Sequence, residues 1–129
     1  IDLPLAEYDT DSRGSTKSLL PPEKVGICVN KNLKKRWNLI LGDSKKELPK
    51  LLESLKFIDM FLHDSKHTYE HMMWEFNIAW PTLNDSGILI SDDINWNSAF
   101  TDFSSNLNQK NIQLQRDKIS TETFGIIQK

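Results

Sequence analysis

Between Phe57 and Trp96 the hydrophobic positions switch period twice. Phe57–Leu62 (FIDMFL) is a short apolar and aromatic run with polar neighbours, the pattern of a buried strand. It ends in His63-Asp64-Ser65-Lys66-His67, too polar to continue inside a core. From there Tyr69, Met72, Met73, Phe76, Trp80 and Leu83 recur at steps of three and four, which predicts a helix. Thr68 is its expected N-cap and Asn84-Asp85-Ser86-Gly87 its stop signal. Ile88–Ile90 then reads as a second strand ending in Ser91-Asp92-Asp93. The stretch is a strand–helix–strand unit, and both strands finish in acids.

Open parallel sheets bind ligands just beyond the carboxyl ends of their strands. Asp64, His67, Asp92 and Asp93 are therefore expected around one crevice. Carboxylate oxygens gathered in this way suit a hard divalent cation such as Mg²⁺, and an imidazole beside them can take a proton near neutral pH. The plainer alternative is that Asp92, Asp93 and Asn95 cap the next helix and His67 decorates a loop.

The flanks extend the same alternation of elements. Ile1–Leu3 reads as the end of a strand stopped by Pro4, which puts Asp2 at a carboxyl end, where an acid commonly binds a cofactor ribose. Residues 7–24 are polar, with Gly14 and the Pro21-Pro22 pair, and are expected to form a long lid-like loop. Val25–Val29 is apolar, Asn30–Arg36 a basic run of one or two helical turns, and Trp37–Leu41 a strand closed by Gly42-Asp43-Ser44. Ser44 and Glu47 have capping-box spacing ahead of a helix with Leu48, Leu51, Leu52 and Leu55 on one face. Pro49 should weaken its first turn or shift its start. Gly42 lets a ligand approach the backbone, and the helix start offers it free N–H groups.

After Trp96, Ser98 can cap a helix through Ala99, Phe100, Phe103 and Leu107, which Asn108–Asn111 breaks. Ile112, Leu114 and Arg116 alternate as a strand, Ser120-Thr121 turns, and Thr123–Gln128 closes the chain as another. The last connection is too short for a crossover helix, so this pair must be antiparallel.

Composition narrows the class. With 129 residues, 38% of them hydrophobic, the chain holds enough apolar material for one domain spanning residues 1–129. A net charge of −2 gives no electrostatic reason to expect nucleic acid. No apolar run reaches membrane-spanning length. The single cysteine, Cys28, rules out an internal disulfide and fits a reducing, cytoplasmic location.

Taken together, RWNLILGDSKKELPKLL, IDMFLHDSKHTYEHMMWEF, AWPTLNDSGILISDDINW and AFTDF resemble successive motifs of the class I S-adenosylmethionine-dependent methyltransferases. The closest likeness is to the small-molecule branch that carries Asp-x-x-His after its fourth strand. The resemblance implies an α/β fold, a three-layer Rossmann-like sheet, mostly parallel with an antiparallel C-terminal hairpin. It also implies transfer of a methyl group from S-adenosylmethionine to a small molecule, most naturally at a hydroxyl. On this likeness Asp2 holds the cofactor ribose, Gly42-Asp43-Ser44 forms the turn beside the adenine, and Asp64 lies near the methionine end. Asp64, Asp92 and Asp93 match the acids that hold Mg²⁺ in metal-dependent O-methyltransferases. His67 matches a general base of some sugar O-methyltransferases. The implied partner is a small-molecule substrate, with no nucleic acid and no membrane, and a homo-oligomer stays open. The alternative is a methyltransferase-like domain that binds without catalysing.

The family's first strand and glycine-rich turn have no counterpart in the sequence, which opens at Ile1 and contains no GxGxG. The resemblance therefore implies that this stretch alone binds S-adenosylmethionine weakly or not at all. Calorimetric titration should return an affinity weaker than micromolar; micromolar binding or tighter would contradict it.

Overall fold

The computed structural model describes residues 1–2, 22–107, 112–116 and 123–129, with residues 112–116 described by their backbone. The expected lid as far as Pro21, the strand end at Leu3-Pro4, the break at Asn108–Asn111 and the turn at Ser120-Thr121 lie outside these residues. The chain divides into two compact units, Ile1–Ser54 and Leu55–Lys129.

In the first unit the expected strand at Trp37–Leu41 is reduced to one parallel bridge, Asp2 with Leu41. Its hydrogen bonds run from the Asp2 N–H to the Ile40 carbonyl and from the Gly42 N–H to the Asp2 carbonyl, both 2.9 Å. The basic run contains a short 3-10 turn at Lys34–Arg36 with all three residues exposed, as charge at that density favours. Trp37 lies over Gly26, whose φ of +73° and lack of a side chain make room for the indole. Helix α1 spans Ser44–Leu55 and runs through Pro49, burying Leu48 and Leu52. Its cap is one residue earlier than the spacing suggested. The Asp43 carboxylate accepts the Lys45 N–H at 2.9 Å, while Glu47 pairs with Lys50. A carboxylate there also complements the helix dipole.

The second unit holds the sheet. β1 (Ile58–His63) pairs parallel with β2 (Leu83–Ser91), as the crossover helix between them requires. β4 (Thr123–Gln128) pairs antiparallel with β2, and β3 (Ile112–Arg116) antiparallel with β4, giving the order β1-β2-β4-β3. The sheet is thus mixed, with the expected antiparallel hairpin at its C-terminal side.

The turn signal at Asn84–Gly87 lies within β2 rather than before it. Leu83 pairs with Ile58 and Ile88 with Met60, so the extra residues bulge, and Ser86 takes a φ of +68°. Hydrogen bonds with the last residue, Lys129, hold the bulge against β4, and its ammonium donates to the carbonyls of Trp80, Pro81 and Leu83.

Helix α2 (Tyr69–Ala79) and helix α3 (Ala99–Asn106) supply the core with Met72, Phe76, Ala79, Phe100 and Phe103, against Phe61, Leu89 and Ile127 of the sheet. Full burial of each large side chain contributes about 1.5–3 kcal/mol. Thr68 and Ser98 occupy the N-cap positions but make no capping bond; Asn97 accepts the Ala99 N–H at 2.9 Å instead. Tyr69 and Asp102 join the two helices by a hydrogen bond. Lost hydration, then that bond and the nearby charges of Asp102 and Glu70, hold the phenol above its ordinary range, so it remains a neutral donor.

Gly125 shows how closely this face is packed. A Cβ there would overlap the ring of Phe100. Gly125→Ala should destabilise the chain by about 1–3 kcal/mol through overpacking, read from its urea unfolding midpoint; an unchanged midpoint would contradict this packing.

Candidate active site

Side chains along a strand alternate between the two faces of a sheet. In β1, Phe61 and His63 face the helices and are buried, while Met60, Leu62 and Asp64 are exposed. In β2 and beyond it, Leu89 and Ser91 are buried and Ile90 and Asp92 are partly exposed. The register sets Leu62 beside Ile90 and His63 beside Ser91, and the Asp92 N–H donates to the His63 carbonyl at 2.9 Å. Asp64 and Asp92 consequently leave adjacent parallel strands together. They line a hollow of about 280 Å³ with Leu62, Ile90 and Phe124. Three apolar side chains and two carboxylates line it, a surface suited to a cation with an apolar body.

His67 and Asp93 are outside this lining. His67 is 6% exposed, its ring 5.1 Å from that of His63 and 5.1 Å from that of Trp96. Its carbonyl accepts the Asn97 amide at 3.2 Å, which fixes the loop over the start of α3. Asp93 lies past the end of β2; it is buried, with a φ of +48° in the turn it makes with Trp96.

In the first unit the Asp2–Leu41 bridge brings Asp2 alongside Gly42, Asp43 and Ser44. The glycine has a local reason as well. At Gly42 a Cβ would sit 2.9 Å from the Glu47 Cγ. One oxygen of Asp43 is engaged at the start of α1.

Residues 5–94 match the family model described as a methyltransferase domain. The chain belongs to the methyltransferase domain family. A search of curated proteins found no match. Its fold is accordingly the Rossmann-like α/β fold of the class I methyltransferases, of which β1, α2 and β2 form one strand–helix–strand unit. Members of this family generally use S-adenosylmethionine. No helix among the described residues is long and apolar enough to cross a membrane.

Among the described residues of this methyltransferase domain, no three acids, histidines or cysteines are grouped to hold a metal ion. The expected Mg²⁺ triad of Asp64, Asp92 and Asp93 is not assembled: Asp93 is buried in a left-handed turn and stands outside the lining that Asp64 and Asp92 share.

Behind the hollow lies a polar cluster that periodicity does not reveal. Glu75, 3% exposed in the middle of α2, accepts from His63 Nδ1 at 2.7 Å, His71 Nε2 at 2.8 Å and Ser65 Oγ at 3.0 Å. With Glu75 ionised, its carboxylate accepts from both rings, which places a proton on His63 Nδ1 and one on His71 Nε2. The available signal was the line His71, Glu75, Ala79 at four-residue steps, one position ahead of the apolar Met72 and Phe76.

All three histidines of the methyltransferase domain, His63, His67 and His71, are buried. They should resist carbethoxylation in the folded chain and react together in urea, followed by ultraviolet absorbance. Rapid modification of His67 in native buffer would contradict the burial described.

Proposed function

We propose that this methyltransferase domain methylates a hydroxyl of a small molecule at the hollow formed by Asp64 and Asp92. The supporting observation is the meeting of these two carboxylates, from adjacent parallel strands, with Leu62, Ile90 and Phe124. A hollow of about 280 Å³ suits a small acceptor better than a macromolecular one.

S-adenosylmethionine, when bound, supplies a methyl group on a positively charged sulfur. Asp64 and Asp92 place negative charge where that cation is stabilised. With the cofactor bound, Asp64 would receive the proton that the acceptor hydroxyl loses, the methyl passing to that oxygen as its bond to sulfur breaks and leaves a neutral thioether. His67, buried outside the lining, is assigned no proton transfer in this reading. In the first unit, taken by itself, Asp2 with Gly42, Asp43 and Ser44 is assigned as a nucleoside-binding turn. No step is assigned to Mg²⁺.

The test uses methyl-labelled S-adenosylmethionine with a panel of sugars and phenols, together with amide NMR during titration of the cofactor. The amides of Asp64 and Asp92 should shift, and label should appear on a hydroxyl oxygen. Asp64→Asn should slow transfer by about 10²- to 10⁴-fold, the usual weight of general base catalysis. His67→Gln is the control that should leave transfer unchanged. Shifts without transfer would favour a binding domain. Full turnover in both Asp64→Asn and Asp92→Asn would refute the assignment.

A further inference from the structure

We propose that Glu75 is the positioning residue for Asp64, acting from the opposite face of the sheet. Its carboxylate holds His63 at 2.7 Å and Ser65 at 3.0 Å, the residues on either side of Asp64. Both partners are fixed where the chain leaves β1, the point at which sheet pairing stops constraining it. With its two neighbours pinned towards α2, the side chain between them is directed to the hollow by alternation alone.

The grip is itself braced. His71, one helical turn before Glu75, donates at 2.8 Å and orients the carboxylate, and His63 is 0% exposed with its ring against Phe76 at 5.4 Å. Charge-assisted bonds in a water-poor interior are stronger than exposed ones, which makes a buried carboxylate an effective anchor for a loop. An apolar residue at position 75 would fill the space but leave the 63–67 segment unheld. The placement matters to catalysis through Asp64, so its functional weight rests on the methyl-transfer reading above; the structural grip stands separately.

The experiment uses the isotopically labelled full chain with Glu75→Gln and Ser65→Ala. In the unaltered chain, long-range imidazole spectra should show His63 protonated on Nδ1. An amide at position 75 removes the charge from all three bonds and presents an NH₂ towards one donor, so that bond is lost unless His63 shifts its proton to Nε2, a shift the same imidazole spectra read directly. Hydrogen exchange at the amides of Ser65, Lys66 and His67 should then rise by about tenfold or more, the scale of one lost charge-assisted bond. Protection at Leu89 and Ile127 should be unchanged. The cofactor-induced shift at Asp64 should fall several-fold in the same variant. Exchange that rises equally across the sheet, or not at all, would overturn the proposal. If Glu75→Gln does not fold, Ser65→Ala removes only the loop-side bond, and the same local loosening is required of it. A chain whose Asp64 amide ignores the cofactor, yet whose 65–67 segment loosens in the variants, would disprove the methyl-transfer reading and leave the grip intact.

Discussion

The parallel register of β1 and β2 is the constraint from which the rest of the second unit follows. Setting Leu62 beside Ile90 means that each strand runs out at the same level, so the first residues past the pairing, Asp64 and Asp92, emerge as neighbours. A one-residue slip of β1 would reverse its side chains, sending His63 to the hollow and Asp64 towards the core, and a slip of β2 would do the same to Ser91 and Asp92. Either slip is heavily penalised, because Phe61 in the first case and Leu89 in the second would lose its burial. Hydrophobic packing on one face thereby fixes the placement of charge on the other.

The helix-facing side does more than fill space. A carboxylate with three donors on it sits among Met72, Phe76 and Phe61, where an unpartnered acid would be costly. It is tolerated because each carboxylate oxygen is satisfied, and it couples the middle of α2 to the end of β1. A polar anchor of this kind is directional, whereas apolar contacts are not, so it can specify the path of a loop that packing alone would leave loose.

Much of this was legible in the residues. The runs FIDMFL and GILIS announce strands because their apolar content is dense and their ends are polar, and TFGIIQ does the same at the carboxyl end. The short connection before it dictated the antiparallel pair. The acids at both strand ends could be read in order along the chain. Other features were misread for identifiable reasons. Trp37–Leu41 has the composition of a strand, yet strand formation depends on a partner, and only Leu41 has one. Asn84–Gly87 has turn chemistry and does turn locally, but β1 and β4 pair on either side of it and keep it in the sheet. Ser44 looked like the cap because Glu47 completes the box, whereas the carboxylate one residue earlier won the N–H group.

The sequence by itself determined the kind and order of the elements, the methyltransferase family, and the presence of an acid after each of the two parallel strands. These are properties of local periodicity and of short motifs, which neighbouring residues carry without reference to the fold. Only the tertiary structure decided which acids share a space. Asp92 and Asp93 are indistinguishable as letters, but the left-handed turn at Asp93 buries it while Asp92 lines the hollow. His63, Ser65, His71 and Glu75 lie in separate elements or in polar company, and they become one cluster only when α2 is laid on β1. Proximity through space is created by packing, and one-dimensional spacing holds no record of it.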